Sequence, residues 1–250
     1  MCDPFLKLID MESKTFEDLI ETNKMYQLVT ERLEVVDPDA QNLYARFNME
    51  AELMELILDF YNQEDDHIAS QKLHKFSPEQ VLAYLQASHK LYLSKKLPEI
   101  EQTMVHIFNK YGQTHALLTT LTVFFNDYKN RLIEHIRSEE KDFFPFIKKL
   151  IAAEKGELTT QQTVDLMNSS SLEDYTDNHG PIEDDLKNVS VIIQDYSKNQ
   201  ETPLPYRVFL NQVEIFEMEL RKHAIIEDHV LVPMARELEK ILRERLNPAV

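Results

Sequence analysis

Two stretches of the chain repeat one arrangement of polar residues. His135-Ile-Arg-Ser-Glu139-Glu140 runs into Phe143-Phe144-Pro145, and His223-Ala-Ile-Ile-Glu227-Asp228 runs into Leu231-Val232-Pro233. On a helix, residues four apart share a face one turn above each other, so each copy aims an imidazole and a carboxylate at one point. Nitrogen and oxygen donors of this kind suit iron, manganese or zinc, and the pattern reads as a metal half-site written twice. Each copy also has a histidine far upstream: His89 lies 46 residues before His135, and His179 lies 44 before His223. The two sets are offset by 90, 88 and 88 residues.

Helices must bring these residues to one level, and the numbering tests whether they can. In an up-down-up-down bundle each connecting turn should fall midway between consecutive ligands, because both helices rise at the same rate. The midpoint of 89 and 135 is Gly112, that of 135 and 179 is beside Gly156, and that of 179 and 223 is beside Thr202-Pro203-Leu204-Pro205. Glycine ends helices and proline suits a first turn. The spacing predicts helices over roughly 78–110, 114–154, 179–200 and 204–245, the first opened by the capping box Ser77-Pro78-Glu79-Gln80. Leu121, Phe125, Tyr128, Leu132, His135, Ile136, Glu139, Phe143 and Phe146 follow a three-four spacing, as do Phe209, Val213, Phe216, Leu220, His223, Glu227, Val230 and Met234. The ligands therefore face inward, where a charged Glu needs a positive partner.

The expected fold is all-α: an up-down-up-down four-helix bundle over residues 76–250, preceded by an N-terminal helical extension over 1–75. Only 3 of 250 residues are Gly, and hydrophobic residues make up 43% of the chain, enough for a proper core. Asp37-Pro38-Asp39 looks like a helix start in the extension, for which packing, docking, homodimer formation and regulation all stay open. Residues 158–178 read as less regular, with Asn168-Ser169-Ser170-Ser171 breaking any helix.

A net charge of -17 disfavours contact with phosphates, and no nucleic-acid partner is expected. The sequence has no apolar run long enough for a bilayer and no leader-like start, so no membrane contact and a cytoplasmic location are expected. Cys2 is the single cysteine, which excludes an internal disulfide and any cysteine-built site within one chain.

Other histidines are set aside. His106 lies 17 residues from His89, and His115 lies 20 before His135, distances of about 25 and 30 Å along a helix. His67 and His74 precede the bundle, and His229 lies on a different face from Glu227. Glu140 and Asp228 point about 100° from the neighbouring carboxylates and are read as solvated or as supporting the ligands from behind. Glu183, four residues after His179, is a candidate seventh ligand or supporting group. A lone His-x-x-x-Glu is more often a satisfied polar pair in a metal-free bundle. Two copies, each with a partner histidine and turns at the midpoints, point to metal.

The ligand set is His89, His135, Glu139, His179, His223 and Glu227. If Glu139 and Glu227 both bridge, each of two ions receives two imidazoles and two carboxylate oxygens, with room for an oxo or hydroxo bridge and an open position. Two non-haem iron ions exploit such a site best, through O2, peroxide or NO chemistry or through loss and delivery of iron. Ferritin-like sites use Glu with Glu-x-x-His instead.

Several motifs together resemble hemerythrin-like domains, and among them the di-iron proteins of iron-sulfur cluster repair. They are Ser88-His89 with Leu97-Pro98-Glu99, His135-x-x-x-Glu139-Glu140 leading to Phe-Phe-Pro145, Asn178-His179, and His223-x-x-x-Glu227-Asp228-His229-Val230-Leu231-Val232-Pro233. The resemblance covers roughly residues 77 to 240 and implies the same assignment: four terminal histidines and two bridging glutamates. The chain departs from such repair proteins in its N-terminal region, which holds Cys2 and no cysteine pair. The resemblance implies a stress protein that restores damaged iron-sulfur proteins by supplying iron or removing NO. The competing readings are reversible binding or sensing of O2 or NO, and reduction of NO or peroxide.

Overall fold

The computed structural model describes Leu53, Leu56, Ile57, Phe60 and Tyr61, together with residues 73–111, 116–176 and 204–247, with the backbone alone for 116–121 and 176. The chain divides into two compact units, Met1–Leu73 and His74–Val250. In the first unit, Leu53, Ile57, Phe60 and Tyr61 are helical and buried. Their spacing gives one apolar stripe along a helix.

The described residues of the second unit are helical, with short connections and no strand. Helix α1 (Pro78–Leu91) is followed by a π-helical turn, Tyr92–Lys96, and by α2 (Leu97–Tyr111). Helix α3 (Ala116–Ser138) continues through the π-turn Glu139–Phe143 into α4 (Phe144–Glu154). Short helices α5 (Thr160–Ser169) and α6 (Leu172–Thr176) come next. Helix α7 (Leu204–Ile226) passes through the π-turn Glu227–Leu231 into α8 (Val232–Leu246). These form three long rods, α1–α2, α3–α4 and α7–α8. The expected rod over 179–200 lies outside the described residues, as do the expected turns at Gly112 and Thr202-Pro203.

The first and third rods begin where the sequence expects them to, at Pro78 and Leu204. Ser77 caps α1 through a capping box with Gln80. The second rod ends at Gly156, whose φ of 76° is the left-handed conformation a helix terminator needs. Neighbouring halves show the directions: α1 packs on α4, α2 on α3 and on the start of α7, and α8 on α4. The first rod is therefore antiparallel to the other two. Tyr92, Leu97, Ile100, Met104 and Ile107 meet Phe125, Tyr128, Leu132 and Ile136, and Phe209, Val213, Phe216 and Leu220 complete one core cluster.

Each rod differs from an unbroken helix in the same way. The wide turns close with an N–H bonded five residues back: Leu97 to Tyr92, Phe144 to Glu139, and Val232 to Glu227. The next residue in each case is a proline, Pro98, Pro145 or Pro233. Proline has no N–H, and its ring collides with the carbonyl four residues back in a regular helix. The wider turn moves that carbonyl aside, so a proline lies inside each rod without breaking it. Such single-turn π-bulges occur often at functional sites.

Of residues 158–178, the described ones (158–176) form two short helices, α5 and α6, and the interruption expected at Asn168-Ser169-Ser170-Ser171 falls at Ser170-Ser171. Thr159 caps α5 with its own capping box to Gln162. Glu239 of α8 accepts the Leu172 N–H at 3.1 Å and is held by Arg243 at 2.5 Å. Tyr175 rests its ring on Phe143 and Phe146, at 5.8 and 5.2 Å between centroids. This short segment is thereby tied to the second and third rods.

Candidate metal centre

Three polar residues lie at the level of the wide turns, inside the apolar bundle. His89 is the third residue from the end of α1, Glu139 opens the second wide turn, and His223 lies one turn before the third. His89 and Glu139 are each 2% exposed and His223 is 6% exposed. One ligand-type atom from each of the three lies within 4.8 Å of the others.

The contacts are specific. His89 Nε2 lies 3.2 Å from Glu139 Oε2 and 3.1 Å from His223 Nε2. The other oxygen of Glu139, Oε1, lies 2.8 Å from His135 Nε2. His223 Nε2 lies 3.5 Å from Glu227 Oε2, and Glu227 is buried. His135 is half-buried at the margin of the cluster. Five of the six expected ligands are thus linked by side-chain contacts. The sixth, His179, lies outside the described residues, as does Glu183.

Aromatic rings enclose the imidazoles. Phe144 stacks on His89 with centroids 5.2 Å apart and planes 11° from parallel. Tyr92 presents its edge to His223 at 5.7 Å and packs on Phe216 at 5.4 Å, while its hydroxyl donates to the Glu219 carbonyl. Tyr92 and Phe144 belong to or directly follow wide turns, so those turns shape the walls as well as supplying Glu139 and Glu227.

Behind His89 stands a second carboxylate. Glu140 Oε1 lies 2.9 Å from His89 Nδ1, and Glu140 Oε2 accepts from Gln86 Nε2 at 2.6 Å. Burial alone would raise the Glu140 carboxyl, but the His89 and Gln86 donors, with Lys148 nearby, hold it below the ordinary carboxylate range. An ionised carboxylate can only accept, so in the 2.9 Å hydrogen bond the donor is Nδ1. Of the two roles expected for Glu140, it takes the supporting one. Asp228 is exposed. Gln86 belongs to no motif, and its only signal is its place one turn before His89.

The donor set fits a cation. Ligand atoms about 2.1 Å from one first-row ion, at angles of roughly 90–110°, lie about 3.0–3.4 Å from each other. The contacts of His89 Nε2 with Glu139 and His223 fall in that range. The electrostatics agree. Burial opposes a charge on His89, yet the Glu139 and Glu140 carboxylates outweigh it and raise its pKa above the ordinary histidine value. The site is negative enough to hold a positive charge at the spot where these donors converge.

His106 is exposed on α2 and is not among the clustered donors; His74 is not among them either, its Nε2 lying 2.9 Å from the His229 carbonyl. His67 and His115 lie outside the described residues.

Comparison with known proteins gives relatives of one kind. The chain is 22% identical over 153 residues to the iron-sulfur cluster repair protein ScdA from two strains of Staphylococcus epidermidis, covering 61% of this chain and 64% of the relative. It is 20% identical over 151 residues to the protein of the same name from Staphylococcus haemolyticus, covering 60% and 64%. The chain therefore spans a little less than two thirds of the length of these relatives. No family profile matches it, and no solved structure does. The repeated histidine-glutamate pattern suggested a likeness to iron-sulfur cluster repair proteins, and curated relatives carrying that name meet the expectation.

Proposed function

We propose that this chain is a non-haem iron protein that repairs iron-sulfur clusters damaged by nitrosative or oxidative stress. In this reading residues 76–250 form a hemerythrin-like bundle. His89, His135, Glu139, His223 and Glu227, joined by His179, hold two iron ions there. Residues 1–75 form a separate helical region. The observation that carries the reading is the approach of His89 Nε2 to both Glu139 and His223 within 3.2 Å in the bundle interior. The printed name of the relatives supports the task.

The chain's own residues do three things in this scheme. Glu139 faces one imidazole with each oxygen, which suits a carboxylate shared between two ions. Phe144 and Tyr92 keep water from the faces of His89 and His223. Glu140 holds a proton on His89 Nδ1 and leaves Nε2 bare. Iron bound there supplies one-electron chemistry toward O2 or NO and is itself a commodity that a damaged cluster needs. The partner is then a damaged iron-sulfur protein, met in the cytoplasm. No helix among the described residues is long and apolar enough to cross a membrane.

The test is restoration of an enzyme whose iron-sulfur cluster has been destroyed with NO. The iron-loaded chain should restore its activity and the metal-free chain should not. Equal restoration by both forms, or failure of the chain to hold iron, would defeat the reading. Reversible bleaching of an oxygenated absorption band without restoration would indicate carriage or sensing instead.

A further inference from the structure

On an ideal helix Glu140 would point about 100° away from Glu139 and leave the interface. The wide turn alters this. A turn closed five residues back holds more residues than a regular one, so neighbouring side chains splay by less. Glu139 and Glu140 both reach across to α1, where Glu139 meets Nε2 of His89 and Glu140 meets Nδ1 of the same ring. One imidazole is gripped at both nitrogens by two consecutive residues.

We propose that Glu140, braced by Gln86, is the positioning residue of His89: it fixes the ring tautomer and rotation so that Nε2 presents its lone pair to the point shared by Glu139 and His223. The inference rests on the metal reading above. Two observations and one general rule support it. Both Glu140 oxygens are engaged, by His89 and by Gln86 three residues earlier on the same face of α1, so the carboxylate cannot turn away. Phe144 fixes the plane of the His89 ring by stacking on it, which leaves rotation within that plane for the hydrogen bond to set. A carboxylate on the far nitrogen also makes the near one a stronger donor, and removing such a partner typically lowers metal affinity by about 10–100-fold.

The experiment uses the full chain loaded anaerobically with ferrous iron, as wild type and as Glu140→Ala, Glu140→Gln and Gln86→Ala. Iron affinity is measured by chelator competition, and the exchangeable imidazole N–H of the loaded form by proton NMR. Glu140→Ala should bind iron about 10–100-fold more weakly and lose one exchangeable ring N–H signal. Glu140→Gln keeps an acceptor carbonyl and should recover most of the affinity and the signal, while Gln86→Ala should show a smaller loss of affinity. Wild-type affinity and an intact signal in Glu140→Ala would overturn the proposal, as would a Glu140→Gln variant as weak as Glu140→Ala, which would mean that charge alone matters. A wild type that holds no iron would instead overturn the metal reading, so the two failures are distinguishable. Circular dichroism of the metal-free variants separates a binding loss from a folding loss.

Discussion

His89 Nε2 and His223 Nε2, carried by rods 134 residues apart in sequence, lie 3.1 Å from each other. With Glu140 engaged on Nδ1, His89 turns Nε2 toward a second imidazole and a carboxylate. Three electron-rich atoms facing one point are stable together when a cation, or a proton in its place, lies between them.

The first prediction concerns that point. The wild-type chain should retain two irons after anaerobic loading and desalting, measured by elemental analysis. Glu139→Ala should lose at least one of them, because it removes the oxygens facing both His89 and His135. His106→Ala, on an exposed position of α2, should keep the full complement. Full iron in Glu139→Ala would refute the bridging role.

Phe216 is 2% exposed and packs edge-on against Tyr92, in the core cluster beside the site. Phe216→Ala leaves a cavity there. It should destabilise the metal-free protein by about 3–5 kcal/mol in urea unfolding. A loss well under 1 kcal/mol would mean that the cluster closes around the gap.

Gly156 tests the backbone alone. A Cβ built at this position meets nothing within 4 Å, so the penalty of a side chain comes only from its φ of 76°. Gly156→Ala should cost about 1 kcal/mol and leave iron content unchanged. Loss of iron would show that the end of the second rod sets the geometry of the site.

The pH prediction concerns Glu79, in the first turn of α1. Burial would raise its pKa, but its ion pair with Lys155 and nearby hydrogen bonds prevail and hold it below the ordinary glutamate value of 4.5. A depressed folded-state pKa gives stability that is fully present above the unfolded value and is lost as pH falls through the folded one. Thermal unfolding of wild type and Glu79→Gln should therefore differ most above pH 4.5 and converge in stronger acid. A constant difference across the acid range would contradict the assignment.

Much of the candidate site was legible because histidine and glutamate stood on otherwise apolar helical faces. Their spacing gave the common level, and Gly156 supplied a turn where the arithmetic required one. The wide turns were less legible, since helix periodicity over 78–110, 114–154 and 204–245 reads as continuous. The clue was Pro98, Pro145 and Pro233, each well inside a run that a proline should interrupt. Gln86 could not be found from spacing, because its role appears only once Glu140 crosses to α1. Helix α5 was obscured by its short polar sequence, although Thr159 and Gln162 form a capping pair.

The three wide turns also separate what the scaffold needs from what the chemistry needs. A π-bulge is one residue richer than ordinary winding, and the helix on either side keeps its bearing. Removing that surplus residue, with the proline exchanged for alanine, would leave rods of nearly the same course and a bundle able to stand. It would also turn Glu139, Glu140 and Glu227 out of register with the imidazoles they face. The same architecture would then persist as an inert frame, its histidines and glutamates present but no longer facing one another.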